Sequence, residues 1–227
     1  MRNPLAKGWR VWKHAGVGYA AVWLVDRILY RVGVHIFIVS THERSWVMGL
    51  PQPHVEPYEF RWATPEEVLA AAADYEPEWM ELPRVTAQLE RGERCIAAFL
   101  GGRLVSCTWS ARSGPLVPGL SINVPPDRIY GHEAKTRAAH RGKGLYAALV
   151  LTGAREACKD GMDMVGYVYA GNSQAVCGSM RMGKMRSGLI VCRGGKKPWS
   201  WVSPACRREG IWVGREGPPG AVQLAGC

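Results

Sequence analysis

The chain has 227 residues, 47% hydrophobic and 21% charged, with 29 Lys and Arg against 19 Asp and Glu for a formal net charge of +10. That length buries one good core and that balance excludes long disorder, so one folded unit with an extension is expected. The positive charge favours polyanionic partners, whether phosphorylated cofactors, nucleic acid or anionic lipid, and does not choose among them.

Cysteines stand at 95, 107, 158, 177, 192, 206 and 227, with no C-x-x-C pair and most of them inside apolar runs. Such thiols pack as small hydrophobes, so a reduced, cytoplasmic protein without a zinc site is expected. At the start, Arg2, Lys7, Arg10 and Lys13 precede an eleven-residue apolar run, Ala15 to Val25, which Asp26, Arg27 and Arg31 then interrupt. A membrane-spanning helix needs roughly 20 apolar residues. No small-residue cleavage site follows the run, so neither a span nor a removed leader is expected.

Residues 1–55 read as an extension and 56–227 as the main domain. The extension carries a helix near Gly18 to Val32 and a strand Val34 to Val39; Pro51, Pro53 and Pro57 then mark a linker. Val22, Val25, Leu29 and Val32 recur at helical spacing, so the helix docks on the core or rests on a membrane surface through residues 1–33. After the linker, Tyr58 to Trp62 is a short strand. Thr64-Pro65-Glu66-Glu67 is a capping box with Pro at the first helical position, opening a helix that ends near Asp74. A second helical stretch with Trp79, Leu82, Val85 and Leu89 stops at Gly92. Arg94 to Leu100 and Arg103 to Ala111 flank Gly101-Gly102, a pair suited to a tight hairpin turn.

Residues 113–126 are rich in Gly and Pro and read as a loop holding a short strand at Leu120 to Val124. A strand over Arg128 to Thr136 leads into a Gly-rich turn, a helix Leu145 to Asp160, and the apolar strand Met164 to Tyr169. A helix Ser173 to Met182 follows, with Asn172 as its N-cap and Gly183 as its stop. Ser187 to Cys192 and a segment around Ser200 to Val213 are expected to finish the sheet.

Between the long strand and the helix at Leu145 lies Arg137-Ala-Ala-His140-Arg141-Gly142-Lys143-Gly144-Leu145-Tyr146. Two glycines separated by one residue let the backbone turn sharply and aim its amides outward. A helix start offers unpaired N–H groups and a positive dipole end, so this is a place for a diphosphate, with Arg141 and Lys143 adding full charges. A Gly-x-Gly by itself is weak evidence; the strand before it, the helix after it and the flanking cations strengthen it.

The segment resembles the GNAT superfamily fingerprint Q/R-x-x-G-x-G/A, which opens the helix holding the diphosphate of acetyl-CoA. Arg141 and Gly144 match, while Tyr146 stands where Gly or Ala is usual. A second family pattern, N-x-x-A-x-x-x-Y-x-x-x-G-F, is matched at Asn172, Ala175 and Gly183, with Ser179 replacing Tyr and Lys184 replacing Phe. The resemblance covers roughly residues 55–215 and implies a mixed α/β, GNAT-like acyl-CoA N-acyltransferase fold. It also implies that Ala134, Lys135 and Thr136 run beside the pantetheine arm, and that Arg141, Gly142, Lys143, Gly144, Leu145, Tyr146 and Asn172 complete the cofactor site.

The implied reaction is acetyl transfer from acetyl-CoA to a primary amine, small-molecule or peptide, by direct attack in a ternary complex. The amine must shed a proton, and His132 and Glu133 stand on the right strand to take it. Alternation puts them on opposite faces, which favours His132 with its ordinary pKa of about 6.5. Ser179 stands where the family's Tyr commonly protonates the departing thiolate, and is a poorer acid; water, Tyr167 or Tyr169 are alternatives. Two further readings stay open: a catalytically degenerate CoA-binding module, and a membrane-surface acyltransferase on a lipid-linked acceptor. Nucleic acid ranks low, because the ten Trp and eight Tyr are not interleaved with cations as a stacking platform requires. A homodimer is left open.

Overall fold

The structure is a computed structural model that describes residues 4–74, 76, 79–180 and 186–215. Eight strands form one mixed sheet: β1 (Val34–His42), β2 (Glu59–Trp62), β3 (Arg94–Leu100), β4 (Arg103–Ala111), β7 (Arg128–Thr136), β8 (Asp163–Tyr169), β9 (Arg186–Arg193) and β10 (Trp199–Val202). Their spatial order is β10-β9-β1-β8-β7-β4-β3-β2. Every neighbouring pair is antiparallel except β7 and β8, which are parallel. The crossover between those two is α5 (Leu145–Lys159), as a parallel pair requires.

One face of the sheet carries α5, α1 (Pro4–Leu29, broken at Gly16), α2 (Arg44–Gly49) and α6 (Ser173–Met180). Leu145 and Leu149 of α5 pack on Ile96, Ala98 and Val105, while Tyr19, Val22 and Leu29 of α1 pack on Ile36, Ile38 and Val168. The other face carries α3 (Pro65–Ala73), α4 (Leu82–Glu90) and α7 (Pro204–Arg208). It also carries a second, three-stranded sheet of β5 (Ser113–Val117), β6 (Leu120–Asn123) and β11 (Trp212–Arg215), in the order β11-β6-β5.

The capping box opens α3 as the sequence indicates. Thr64 Oγ1 accepts from the Glu67 amide at 3.3 Å and the Glu67 carboxylate accepts from the Thr64 amide at 2.9 Å. The Gly101-Gly102 hairpin also forms, with φ of 55° and 77° at the two glycines.

Three expectations are corrected. The strand assigned to an extension lies inside the sheet, paired to β8 on one side and β9 on the other. Its run of buried residues reflects that double pairing, since an interior strand is covered on both faces. The Gly/Pro-rich loop is a hairpin. The left-handed φ of 84° at Gly119 closes the turn after Pro118, and Pro115 is tolerated because β5 is an edge strand. The last segment is divided as well: β10 ends the large sheet, whereas β11 crosses to the small one. The expected helix stop at Gly183, and Lys184 beside it, lie outside the described residues.

Candidate active site

The parallel ladder between β7 and β8 is short. It pairs Arg128–Gly131 with Asp163–Gly166, whereas β7 runs on to Thr136 and β8 to Tyr169. Glycines sit at the last pair. A side chain at Gly131 would collide with Met164 Cε, and one at Gly166 would come within 3.3 Å of Ser40 Oγ. Beyond that pair the two strands no longer pair with each other, leaving a gap in the ladder in the middle of the sheet.

At the same level β7 is bulged. Trp109 of β4 faces His132 and Cys107 faces Lys135, so one residue of β4 opposes two of β7. Glu133 absorbs the extra residue with a φ of 49°, in the left-handed region that non-glycine residues avoid. Side chains of β4 stitch the interrupted ladder: Thr108 Oγ1 donates to His132 O at 3.0 Å and Ser106 Oγ donates to Lys135 O at 2.9 Å.

The far end of β7 meets the Gly-rich turn, where Gly142 and Gly144 both have a φ of 81° and no atom lies within 4 Å of a Cβ built on either. Gly144 is the N-cap of α5 and supplies no side-chain cap, so the first amides of the helix are left for a ligand or water. The gap between β7 and β8 and the bare helix start therefore belong to one continuous strand–turn–helix path.

No protein-family model matches the chain, and no curated protein matches it. Among solved structures, a Drosophila protein is 13% identical, with 83% of this chain and 59% of that one covered, at a TM-score of 0.50. An acetyltransferase of the GNAT family from Colwellia psychrerythraea is 12% identical, covering 70% and 54%, at 0.48. A GNAT-family N-acetyltransferase from Escherichia coli, solved in complex with CoA, is 15% identical, covering 50% and 62%, at 0.36. The chain thus spans 54–62% of the length of these three proteins. At 13% identity and a TM-score of 0.50, the likeness to the Drosophila protein is one of fold alone.

The fold itself is a mixed α/β sheet whose one parallel pair, β7 and β8, is joined by the crossover helix α5. Within this frame the residues singled out from the sequence fall into three groups. Gly142, Lys143, Gly144, Leu145 and Tyr146 form the turn and the first helical residues, and all but the buried Leu145 are at least partly exposed. Arg141 Nε donates to Thr136 O at 3.1 Å, and Lys143 Nζ lies 5.9 Å from the centroid of the Tyr58 ring. Ala134, Lys135 and Thr136 continue β7 beyond the parting. The Lys135 ammonium donates to Trp79 O at 2.6 Å, so its side chain ties β7 to the α3–α4 connection.

The second group is corrected by the bulge. Alternation predicts His132 and Glu133 on opposite faces, yet His132 Nδ1 lies 4.0 Å from Glu133 Oε1 because the extra residue cancels the alternation. His132 does not open into the gap. Its side chain is 3% exposed, its ring stacks on Tyr130 at 4.9 Å, and Nε2 sits 3.0 Å from Glu93 Oε2. Burial pushes the Glu93 carboxyl up, but His132 and then Arg91 outweigh it and hold the group below its ordinary value. Glu133 is the more open of the pair, with its carboxylate held by Arg84 and Gln88 of α4.

The third group lies between α5 and α6. Asn172 caps α6, its Oδ1 accepting from the Ala175 amide at 3.2 Å, so that oxygen is engaged by the helix. Ser179 is buried, and its Oγ is 3.4 Å from the Tyr146 hydroxyl. The two departures from the family pattern are thus in contact. Tyr167 lies beside the carboxylates, and burial first, then Glu133 and Glu93, push its phenol well above the ordinary value. Such a phenol keeps its proton at neutral pH.

Sequence reasoning missed Arg84 and Gln88 of α4, Glu93 between α4 and β3, and Tyr130 of β7 itself, none of which a motif marks. It also missed Arg137. That buried guanidinium donates to Glu76 at 2.8 Å, to Asp74 at 3.1 Å and to Leu104 O at 3.1 Å, and stacks over Trp79, locking the α3–α4 connection to the foot of the turn. A separate cavity of about 370 Å³, lined by Val39, Thr41, Gly188, Cys206, Arg208 and Ile211, lies under α7 and not at the parting. Among the described residues no three His, Cys, Asp or Glu side chains are placed to hold a metal ion.

Proposed function

We propose that the chain is an N-acetyltransferase that moves an acetyl group from acetyl-CoA to a primary amine by direct attack in a ternary complex. The observation that carries this reading is the parting of β7 from β8 beside a bulge, in line with an uncapped helix start flanked by Arg141 and Lys143. The open space over Gly142 and Gly144 fits a diphosphate, whose close approach to backbone amides a Cβ would hinder. When bound, acetyl-CoA supplies an activated carbonyl carbon and a thiolate leaving group.

The chain's own residues do the rest. Amides of residues 142–146 with Arg141 and Lys143 hold the anion, and the β7 backbone at 134–136 lines the acyl arm, where an N–H donor can polarise the carbonyl. Glu133 takes the proton of the amine, directly or through one water, and Arg84 and Gln88 fix where its carboxylate points. His132 and Glu93 are positioning residues that brace the bulge from the buried side. Ser179, with Tyr146 against it, stands where a proton can return to the sulfur.

Calorimetry with CoA and thiol release from acetyl-CoA over a panel of amines test the reading. Binding together with amine-dependent thiol release is expected, and the absence of any CoA binding would overturn it. The contact between Ser179 and Tyr146 favours a second reading, a CoA-binding module without transfer; tight binding with no release on any amine would establish that one instead.

A further inference from the structure

We infer that the outer face of α1 lies against an anionic lipid bilayer. Its inner face is committed: Tyr19, Val22 and Leu29 pack on the sheet, Trp23 is buried, and the Asp26 carboxylate accepts from the Ile36 amide at 3.1 Å. The outer face is apolar at helical spacing. Val17, Leu24 and Ile28 are 70, 56 and 62% exposed, with Val25 beside them, and Val32 in the turn just after the helix is 59% exposed. One exposed hydrophobe needs no explanation, but a stripe of them along a docked helix does.

Charge identifies the occupant. The first 33 residues hold six cations, Arg2, Lys7, Arg10, Lys13, Arg27 and Arg31, and one carboxylate, Asp26, which is fully buried. Its described outer surface, with Arg27 exposed on α1 and Arg31 exposed just after it, therefore offers apolar groups and positive charge with no acid between them. That pairing suits the headgroup boundary of an anionic membrane, where apolar side chains enter the acyl region and cations meet phosphate. A second copy of the same face would bring like charges together. Among the described residues no helix is long and apolar enough to cross a membrane, so the contact is one of surface.

Sedimentation of the full chain with vesicles of phosphatidylcholine alone, or mixed with phosphatidylserine, tests the inference. The chain is expected to pellet with the mixed vesicles, less as salt is raised, and little with the neutral ones. Leu24→Gln/Ile28→Gln, both at exposed positions, should lower partitioning about tenfold with melting temperature and CoA affinity unchanged. Arg27→Gln/Arg31→Gln should remove part of the salt-dependent share alone. Equal recovery on both vesicle types, unchanged partitioning of the Leu24/Ile28 variant, or a concentration-dependent dimer that this variant dissolves would overturn it. The test is independent of acetyl transfer, which vesicle binding does not report.

Discussion

Glu133 is the sole non-glycine residue with a left-handed φ among those described, and it sits where the sheet parts. Backbone strain at such a place is held by its surroundings, here Arg84, Gln88 and the two hydroxyls that bridge β4 to β7. Glu133→Gln keeps the shape and removes the base. Turnover should fall about 10²–10⁴-fold with the CoA dissociation constant unchanged, as read by thiol release beside calorimetry. Gly144→Ala works on the other half of the site. At a φ of 81° an Ala costs roughly 1–2 kcal/mol, and the relaxed turn re-aims the amides at the helix start. CoA affinity should drop about tenfold while the pH dependence of turnover keeps its shape; equal affinity would show that those amides do not hold the anion. His132 marks the limit of reading a strand residue by residue. Its ordinary pKa made it the favoured base, but the bulge turned it into the buried neighbour of Glu93.

At the scale of elements, most helix starts and turns that carry their own chemistry were legible, although the Ser203 cap that opens α7 was passed over. Thr64 with Glu67, Gly101-Gly102, Gly142 with Gly144, and Asn172 act through neighbours a few residues away, so local sequence contains the cause. The short strand expected at Leu120 to Val124 is β6, but its partner β5 escaped, because Pro115 argues against a strand unless the strand is known to be an edge. Arg137 links elements, and Arg137→Met removes one buried cation from two carboxylates and two carbonyls. A loss of about 2–3 kcal/mol is expected, measured by urea unfolding.

His42, at the end of β1, is buried and stacks with Trp46, and burial lowers its pKa from 6.5 to about 4. The unfolded chain then takes up a proton that the folded one refuses. The stability tied to this group is complete above about pH 6.5 and is lost as pH falls to about 4, by up to about 3 kcal/mol. Melting temperature against pH should show that slope in the native chain, and His42→Phe should flatten it; parallel curves would refute the assignment.

For the whole molecule, the position of β1 decides what the first residues are for. A strand paired on both sides cannot be removed without leaving β8 and β9 with open ladders in the middle of the sheet. A chain beginning at residue 44 should therefore fail to give a cooperative melt by circular dichroism. A chain beginning at residue 17, which keeps the docked half of α1, should melt within a few degrees of the full one. Equal melting of both would return the strand to the status of an appendage.

The sequence by itself determined the mixed α/β class and the Gly-rich turn between strand and helix. Each of these rests on short-range causes: periodicity, caps, and the freedom of glycine at positive φ. Tertiary structure alone decided that the first strand is interior, that β7 and β8 part after Gly131, and that Glu133 and His132 share a side with Glu93 and Arg84 around them. Those facts depend on which strands pair and in what register, and register is set here by contacts between residues 19 to more than 150 positions apart, which no local pattern encodes.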